Sequence, residues 1–437
     1  MLRGPDRELL GLAIPAVGAL VAEPVFLMAD SAIVGHLGTA QLAGLGIASA
    51  LLLNAVFLCV FLAHGTTAAV ARRAGAGDLR RAFTLGVDGM WLAIAIGVGL
   101  AALGLAVAPV LVDLLGASER AMPYALTYLR ISLLGLPAML VVLAATGALR
   151  GLKDARTPLL ASGLAAVANI PLNLVLVYPL GLGVAGSALG TVLAQAGAAA
   201  WLGTVVVRGA RRHAAPLRPD RPGIMAAARS NAPLLARTML LRISLLTMTF
   251  VAAAQGDLAL ASHQIAFTLW YLLAMPPEAF AIASQALVGH ALGAGDPLTA
   301  KATSRRALLW GLGTGLAMAL LLLALRPAWV PIFTTDPAVR DLVWSLAVVV
   351  AVGQPIGALL YVLDGILIGA GDTRYLAWTM LGALLTFLPL VGAVYVTDAG
   401  IIALWWALTG WLLARQVAVA LRYRSTAWLR SGPLTGI

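Results

Sequence analysis

Runs of about 20 apolar residues recur along the whole of this chain, and that one feature rules out most folds. Each run is long enough to cross a hydrocarbon layer of about 30 Å. Inside such a layer every backbone N–H and C=O needs a partner within the protein, so a span is either a helix or a strand of a closed barrel. The runs here are continuous, rich in Leu, Ala and Val, and lack the polar–apolar alternation of a barrel strand. The reading is therefore an all-α integral membrane protein. Composition agrees: 61% of residues are hydrophobic and 11% charged, where a soluble domain carries roughly 25% charged residues.

Twelve spans fit the chain, at roughly 9–35, 44–70, 84–112, 121–149, 159–180, 183–207, 229–254, 259–288, 304–333, 341–369, 375–397 and 399–421. The net charge of +11 does not indicate nucleic acid, because the bases sit in short connections and not on one face. Those connections obey the positive-inside rule. One side carries Arg72, Arg73, Arg80 and Arg81, the cluster from Arg208 to Arg229, Lys301, Arg305, Arg306 and Arg374, and both termini, where Arg415 is included. The other side carries only Arg120, Arg130, Arg326 and Arg340. Both termini are expected in the cytoplasm, which requires an even number of spans.

The chain also repeats itself. Gly75-Ala76-Gly77-Asp78 returns 218 residues later as Gly293-Ala294-Gly295-Asp296. Gly151, Asp154 and Arg156 return as Gly369, Asp372 and Arg374, Gly38 as Gly256, and Pro171 as Pro389, all at the same offset. This predicts two pseudo-symmetric six-helix bundles, a lobe at 1–207 and a lobe at 229–437, joined by a Pro- and Arg-rich cytoplasmic linker at 208–228. A parallel repeat of this kind places a transport site near the repeat interface. The repeated Gly-Asp motif lacks the Lys-Ser or Lys-Thr of a phosphate loop. It reads as a tight turn, Gly ending one helix and Asp capping the next.

Acids within a membrane are costly, so each is a functional candidate. Four stand out, Glu23, Asp30, Glu278 and Asp364, with Arg237 and Arg242 as bases on the seventh span. Asp30 lies about 8 Å from the outer end of the first span, six residues after Pro24, which removes a helix hydrogen bond and permits a bend. Tyr128, Asn169, Asn173 and Thr191 reach a similar depth on the fourth, fifth and sixth spans. A carboxyl among neutral hydroxyls and amides is a reasonable proton acceptor, since burial favours its neutral form and hydrogen bonds its charged form. The duplicate of position 30 is Met248, so this acid belongs to one half. Glu23 either lines the same cavity or caps amides freed at Pro24. Glu278 follows Pro276-Pro277 and reads as structural, at a break there. Asp364 and Arg237 read as an ion pair between helices, and Arg242 is placed to meet an anionic group. No His spacing suggests a metal, and no HExxH, GxSxG or Walker motif suggests an enzyme or an ATP-driven pump.

The stretches Asp30 to Gly38 (DSAIVGHLG), Arg150 to Asp154 (RGLKD), Ala261 to Ile265 (ASHQI), Ser284 to Gly289 (SQALVG) and Leu363 to Asp372 (LDGILIGAGD) add a family signal. In this order, on twelve spans, the chain resembles the multidrug and toxic compound extrusion (MATE) transporters, their DinF branch above all. The resemblance covers essentially the whole chain. It implies a V-shaped pair of bundles around a central cavity, and cation-coupled antiport of amphipathic, often cationic compounds. It also implies a first-half site matched by Asp30, Tyr128, Asn169 and Thr191. Asn173 departs from that pattern, standing where some relatives have a second Asp. Na⁺ favours several oxygen ligands with net negative charge, so one carboxylate points to H⁺ as the coupling ion, with Na⁺ second. The Glu that NorM-type sodium-coupled relatives carry on the seventh span is also missing; Arg237 and Arg242 are there instead.

The expectation is therefore a proton-coupled exporter with no cofactor, a monomer in a bacterial cytoplasmic membrane, with the lipid bilayer and small amphipathic substrates as partners, the substrates binding from the cytoplasmic side. The nearest alternative is a flippase for lipid-linked or amphipathic lipids, whose cavity would be dominated by bases. Here the intramembrane acids balance the bases.

Overall fold

The computed structural model of the protein describes residues 4–432, apart from the side chain of Glu23. Among the described residues the chain is helical almost throughout, and twelve helical stretches are long and apolar enough to cross a membrane. In order they are α1 (Gly4–Gly35), α2 with α3 (Thr39–Leu58 and Phe61–Gly75), α4 (Leu79–Leu114), α5 (Met122–Gly151), α6 (Arg156–Val177), α7 (Gly183–Arg212), α8 (Arg221–Ala254), α9 (Asp257–Gly293), α10 (Pro297–Ala324), α12 (Pro337–Gly369), α13 (Thr373–Thr397) and α14 (Gly400–Arg424). A short α11 (Arg326–Phe333) follows α10. The ninth span thus ends at Ala324. Pro327 cannot donate a helix hydrogen bond, and the chain restarts as α11.

Two expectations about breaks change. Pro276 and Pro277 lie inside an unbroken α9, so Glu278 does not sit at a helix break. Each proline removes only one backbone donor, and the packed neighbours of a membrane helix tolerate that loss. The interruption falls instead between α2 and α3, at Cys59 and Val60, where the amides turn back to Val56 and Phe57 carbonyls at 2.9 and 3.2 Å. These are the duplicate positions of Pro277 and Glu278.

The chain divides into two compact units. The first comprises Ile14–Asn231; the second comprises Ala232–Gly432 together with residues 4–13 of α1. The two cuts lie 218 residues apart, so α1 and α8 cross over at matching points. Within the second unit, buried Asp6 anchors the start of α1. It accepts from Arg306 Nε at 2.7 Å and Trp310 Nε1 at 3.1 Å, and also from Arg306 Nη2. The Pro- and Arg-rich stretch is mostly helix: α7 runs to Arg212 and α8 starts at Arg221. What lies between is folded onto α4, where Arg80 donates to the Ala214 carbonyl at 3.1 Å and Trp91 to that of Leu217 at 3.0 Å.

The duplication is visible in the packing. In the first unit α3 and α5 meet backbone to backbone: a Cβ on Gly147 would come within 3.0 Å of Ala63 Cα, and one on Gly151 within 2.9 Å of the Thr67 carbonyl oxygen. In the second unit α9 and α12 meet at the duplicate positions, Gly365 against Ala281 and Gly369 against Gln285, at 2.8 and 3.0 Å to the carbonyl carbons. The GAGD turns form as their sequence dictates. Gly77 and Gly295 adopt φ of 80° and 76°, a region open to glycine. Asp78 accepts from the Arg81 amide, and Asp296 from the Thr299 amide, each at 2.9 Å. The Thr299 bonds hold the exposed Asp296 carboxyl below its ordinary range.

Candidate functional site

Asp30 sits near the end of α1, five residues before its last residue, and is buried. Three helices of the first unit bring polar groups to it. Tyr128, in the second turn of α5, donates to Asp30 Oδ2 at 2.7 Å. Asn173 on α6 donates through Nδ2 to Oδ1 at 2.8 Å. Ser187 on α7 donates to the same Oδ1. The hydroxyls of Ser49 on α2 and Thr191 on α7 neighbour the Tyr128 hydroxyl.

Asn169 and Thr191 do not touch Asp30. Asn169 exchanges bonds with Asn173 at 3.1 and 3.4 Å and reaches Thr191 at 3.4 Å, long for a hydrogen bond. They form an outer layer behind Asn173 and Tyr128. Asp30, Tyr128, Asn169, Asn173, Ser187 and Thr191 are all buried.

Helical spacing and two glycines make this convergence possible. Asn169 and Asn173 lie one turn apart on α6, as do Ser187 and Thr191 on α7, so each pair shares a face. Gly186 and Gly190 let α7 close on α6. A Cβ on Gly186 would come within 2.7 Å of the Leu176 carbonyl, and one on Gly190 would collide with the Asn173 amide oxygen.

No Lys, Arg or His among the described residues bonds to Asp30; its partners are neutral amides and hydroxyls. An isolated buried carboxylate is expensive, and hydrogen bonds offset only part of the cost. Such a group is suited to taking up and releasing a small cation. A cavity of about 260 Å³ opens one helical turn away, lined by Leu37, Gln41, Tyr124, Thr127 and Gly183 among others. Tyr124 precedes Tyr128 by one turn and Gly183 precedes Ser187 by one turn, so two of the cavity's lining residues lie one turn from groups that bond the buried acid. Pro24 lies within α1, which is helical from Gly4 to Gly35. Glu23 is in the same helix, with its side chain outside the described residues.

The second unit holds a different arrangement. Asp364 on α12 accepts from Arg237 on α8 and from Arg415 on α14, the latter at 2.8 Å, both through Oδ2. Arg415 is buried, its guanidinium 4.8 Å from the centre of the Trp411 ring. Its neighbours Arg422 and Arg424 suggest a cytoplasmic tail, yet it lies nine residues inside α14. Tyr361, one turn before Asp364, feels the charges of Glu278, Arg415, Asp364 and Arg237. Glu278 thus borders this cluster, whereas Arg242 lies near Tyr271.

Sequence reasoning did not single out Ser187 or Arg415. The signal for Ser187 was its place one turn before Thr191.

Comparisons with known proteins agree with this architecture. A family model described as MatE matches residues 15–175 and 233–391, one segment beginning near the start of each unit's own helices. The chain is 32% identical over 443 residues to Protein DETOXIFICATION 44, chloroplastic, of Arabidopsis thaliana, covering 98% of this chain and 83% of that protein. It is 27% identical over 439 residues to DNA damage-inducible protein F of Escherichia coli (strain K12), covering 97% and 93%. A crystal structure of MATE in the bent conformation matches with a TM-score of 0.88 at 22% identity, covering 98% of this chain and 96% of that one, a likeness of fold.

Proposed function

We propose, from the premise that this chain belongs to the MatE family, that it is a proton-coupled antiporter exporting amphipathic, often cationic compounds by alternating access. Family members are transporters, so the chain is a transporter and not an enzyme. The name of the Arabidopsis relative, detoxification, supports export of toxic small molecules. The observation that carries the coupling is Asp30, a buried acid whose partners are neutral donors. Na⁺ is the weaker reading, because Asn173 directs an N–H, and not an oxygen, toward that acid.

In this reading a proton enters by way of the cavity beside Tyr124 and Gly183 and neutralises Asp30. Pro24 leaves the Leu20 carbonyl without its helical donor, a point at which α1 can bend when the charge on Asp30 is lost. Substrate release follows. A bacterial cytoplasmic membrane, cytoplasmic termini and a monomeric state belong to the same proposal.

The test is transport of a fluorescent organic cation into proteoliposomes, driven in turn by a pH gradient and a Na⁺ gradient, for wild type and Asp30→Asn. Transport driven by the pH gradient and abolished in a correctly folded Asp30→Asn protein is the expected result. Transport driven by Na⁺ alone, or undiminished in the variant, overturns it.

A further inference from the structure

We propose that Asp30 takes its proton on Oδ2, the oxygen facing Tyr128, and that Ser187 is a positioning residue that holds Oδ1 as the carbonyl oxygen of the acid. The inference rests on the reading of Asp30 as the coupling acid and goes further, to the atom that carries the proton.

The argument is a donor and acceptor count. Oδ1 is met by two donors, Asn173 Nδ2 at 2.8 Å and the Ser187 hydroxyl. Oδ2 is met by one, the Tyr128 hydroxyl at 2.7 Å. As a carboxylate, Asp30 accepts all three bonds. Adding H⁺ forms one O–H bond, and in a buried site that new donor needs an acceptor.

On Oδ1 it would point at an amide N–H, which cannot accept, or at the Ser187 hydroxyl, whose turning away would leave Oδ1 with one donor in place of two. On Oδ2 it points at the Tyr128 oxygen, which can accept once its own hydrogen turns away. Acceptors for that hydrogen are at hand, since the Ser49 and Thr191 hydroxyls neighbour the Tyr128 hydroxyl. Oδ1 then becomes the carbonyl oxygen of the acid and keeps both donors unchanged. Both protonation states are satisfied with one reversal, at Tyr128.

Without Ser187, Oδ1 faces only the Asn173 N–H, so the proton stays on Oδ2 while the carbonyl oxygen of the acid loses one of its two bonds. Nothing else compensates: the groups bonded to Asp30 come from α5, α6 and α7, and no charged side chain of the described residues is among them. Ser187 is itself fully buried, so water does not replace it.

The experiment is infrared difference spectroscopy of the reconstituted full-length protein across a pH jump. A protonated carboxyl gives a C=O band whose frequency falls with each hydrogen bond its carbonyl oxygen accepts. Wild type is expected to show a low-frequency band that disappears in Asp30→Asn. Ser187→Ala should move the band to higher frequency, Ser187→Thr should leave it in place, and Ser187→Cys, a weak donor of similar size, should move it partway. Tyr128→Phe should leave the carbonyl frequency close to that of wild type. An Asp30 band that ignores Ser187→Ala and Ser187→Cys but shifts in Tyr128→Phe places the proton on Oδ1 and overturns the inference while leaving the coupling role of Asp30 intact. Absence of any band that depends on Asp30 overturns both.

Discussion

Asp30 in the first unit and Asp364 in the second are both buried in membrane spans, and the two are treated in opposite ways. Asp30 in the first unit meets two hydroxyls and an amide. Asp364 in the second meets two guanidiniums. The repeat makes the contrast sharper. At the 218-residue offset, Asp30, Tyr128, Asn169, Asn173 and Ser187 become Met248, Leu346, Phe387, Val391 and Trp405, every one of them buried. Only Thr191 keeps its type, as Thr409. In the other direction, Arg237, Asp364 and Arg415 become Ala19, Thr146 and Gly197. The helix-to-helix approach at Gly147 and Gly365 is common to both units, so the backbone frame does not determine which acid is exchangeable. The surrounding side chains do. An acid among neutral donors has no fixed counter-charge, whereas an acid shared by two guanidiniums ties α8, α12 and α14 together.

The strongest way to break this contrast is to remove Asp364. Asp364→Leu leaves Arg237 and Arg415 buried without their shared carboxylate, and the loss of one side of a buried ion pair typically costs about 3–5 kcal/mol. The variant should lose most of its folded population on mild heating in detergent, while Asp30→Asn should unfold near the wild-type temperature. Replacing the whole cluster, Arg237→Met with Asp364→Leu and Arg415→Met, should recover much of the loss, because an apolar substitute for a buried ion pair is often neutral. If Asp364→Leu is as stable as wild type, the cluster is not a structural tie and the contrast fails.

How far the sequence could be read follows the same divide. The twelve spans and the duplication were legible because both rest on local signals, apolar length and repeated turns. Asp30 was legible because an acid in an apolar run is conspicuous, and Tyr128 and Asn173 because their depth along a span can be counted. Ser187 was not, since a helix serine is common and its value here arises only when Gly186 and Gly190 let α7 close on α6. Arg415 looked like part of a basic tail because hydropathy averages over about 20 residues, and its depth became visible only through its bond to Asp364. The break at Cys59 and Val60 carries no proline, while Pro276 and Pro277 carry no break. Tertiary packing decided both.

A second way to test the contrast is to move the acid. Met248→Asp puts a carboxyl at the duplicate of position 30, where Leu346 and Val391 replace two of the three donors and the indole of Trp405 replaces the Ser187 hydroxyl. A buried polar group without partners costs about 2–3 kcal/mol, so the variant should be less stable by roughly that amount. In an Asp30→Asn background it should also fail to restore transport driven by a pH gradient. Adding Leu346→Tyr and Val391→Asn, which rebuilds two of the donors, should return part of the stability. Restored transport by Met248→Asp alone would mean that the donor shell is dispensable.

The smallest expected change in stability comes from a single methyl group. Gly190 occupies a position whose duplicate is Leu408, fully buried in the second unit. The second unit can fill that place because Val391 lies where Asn173 would be. In the first unit a Cβ on Gly190 runs into the Asn173 amide oxygen. That oxygen sits at the end of a side chain that can rotate, so Gly190→Ala should cost no more than about 1 kcal/mol, a shift of a few degrees in unfolding temperature. Its effect on coupling should be larger. Rotating Asn173 away breaks its 2.8 Å bond to Asp30 and its bonds to Asn169, which leaves Oδ1 with Ser187 as its remaining donor. Export driven by a pH gradient should slow severalfold in a protein that is otherwise well folded, and Asn173→Ala should slow it to a similar degree. Equal export by Gly190→Ala and wild type would show that Asn173 is not needed at Asp30, and that space for α7 to approach α6 is all this glycine provides.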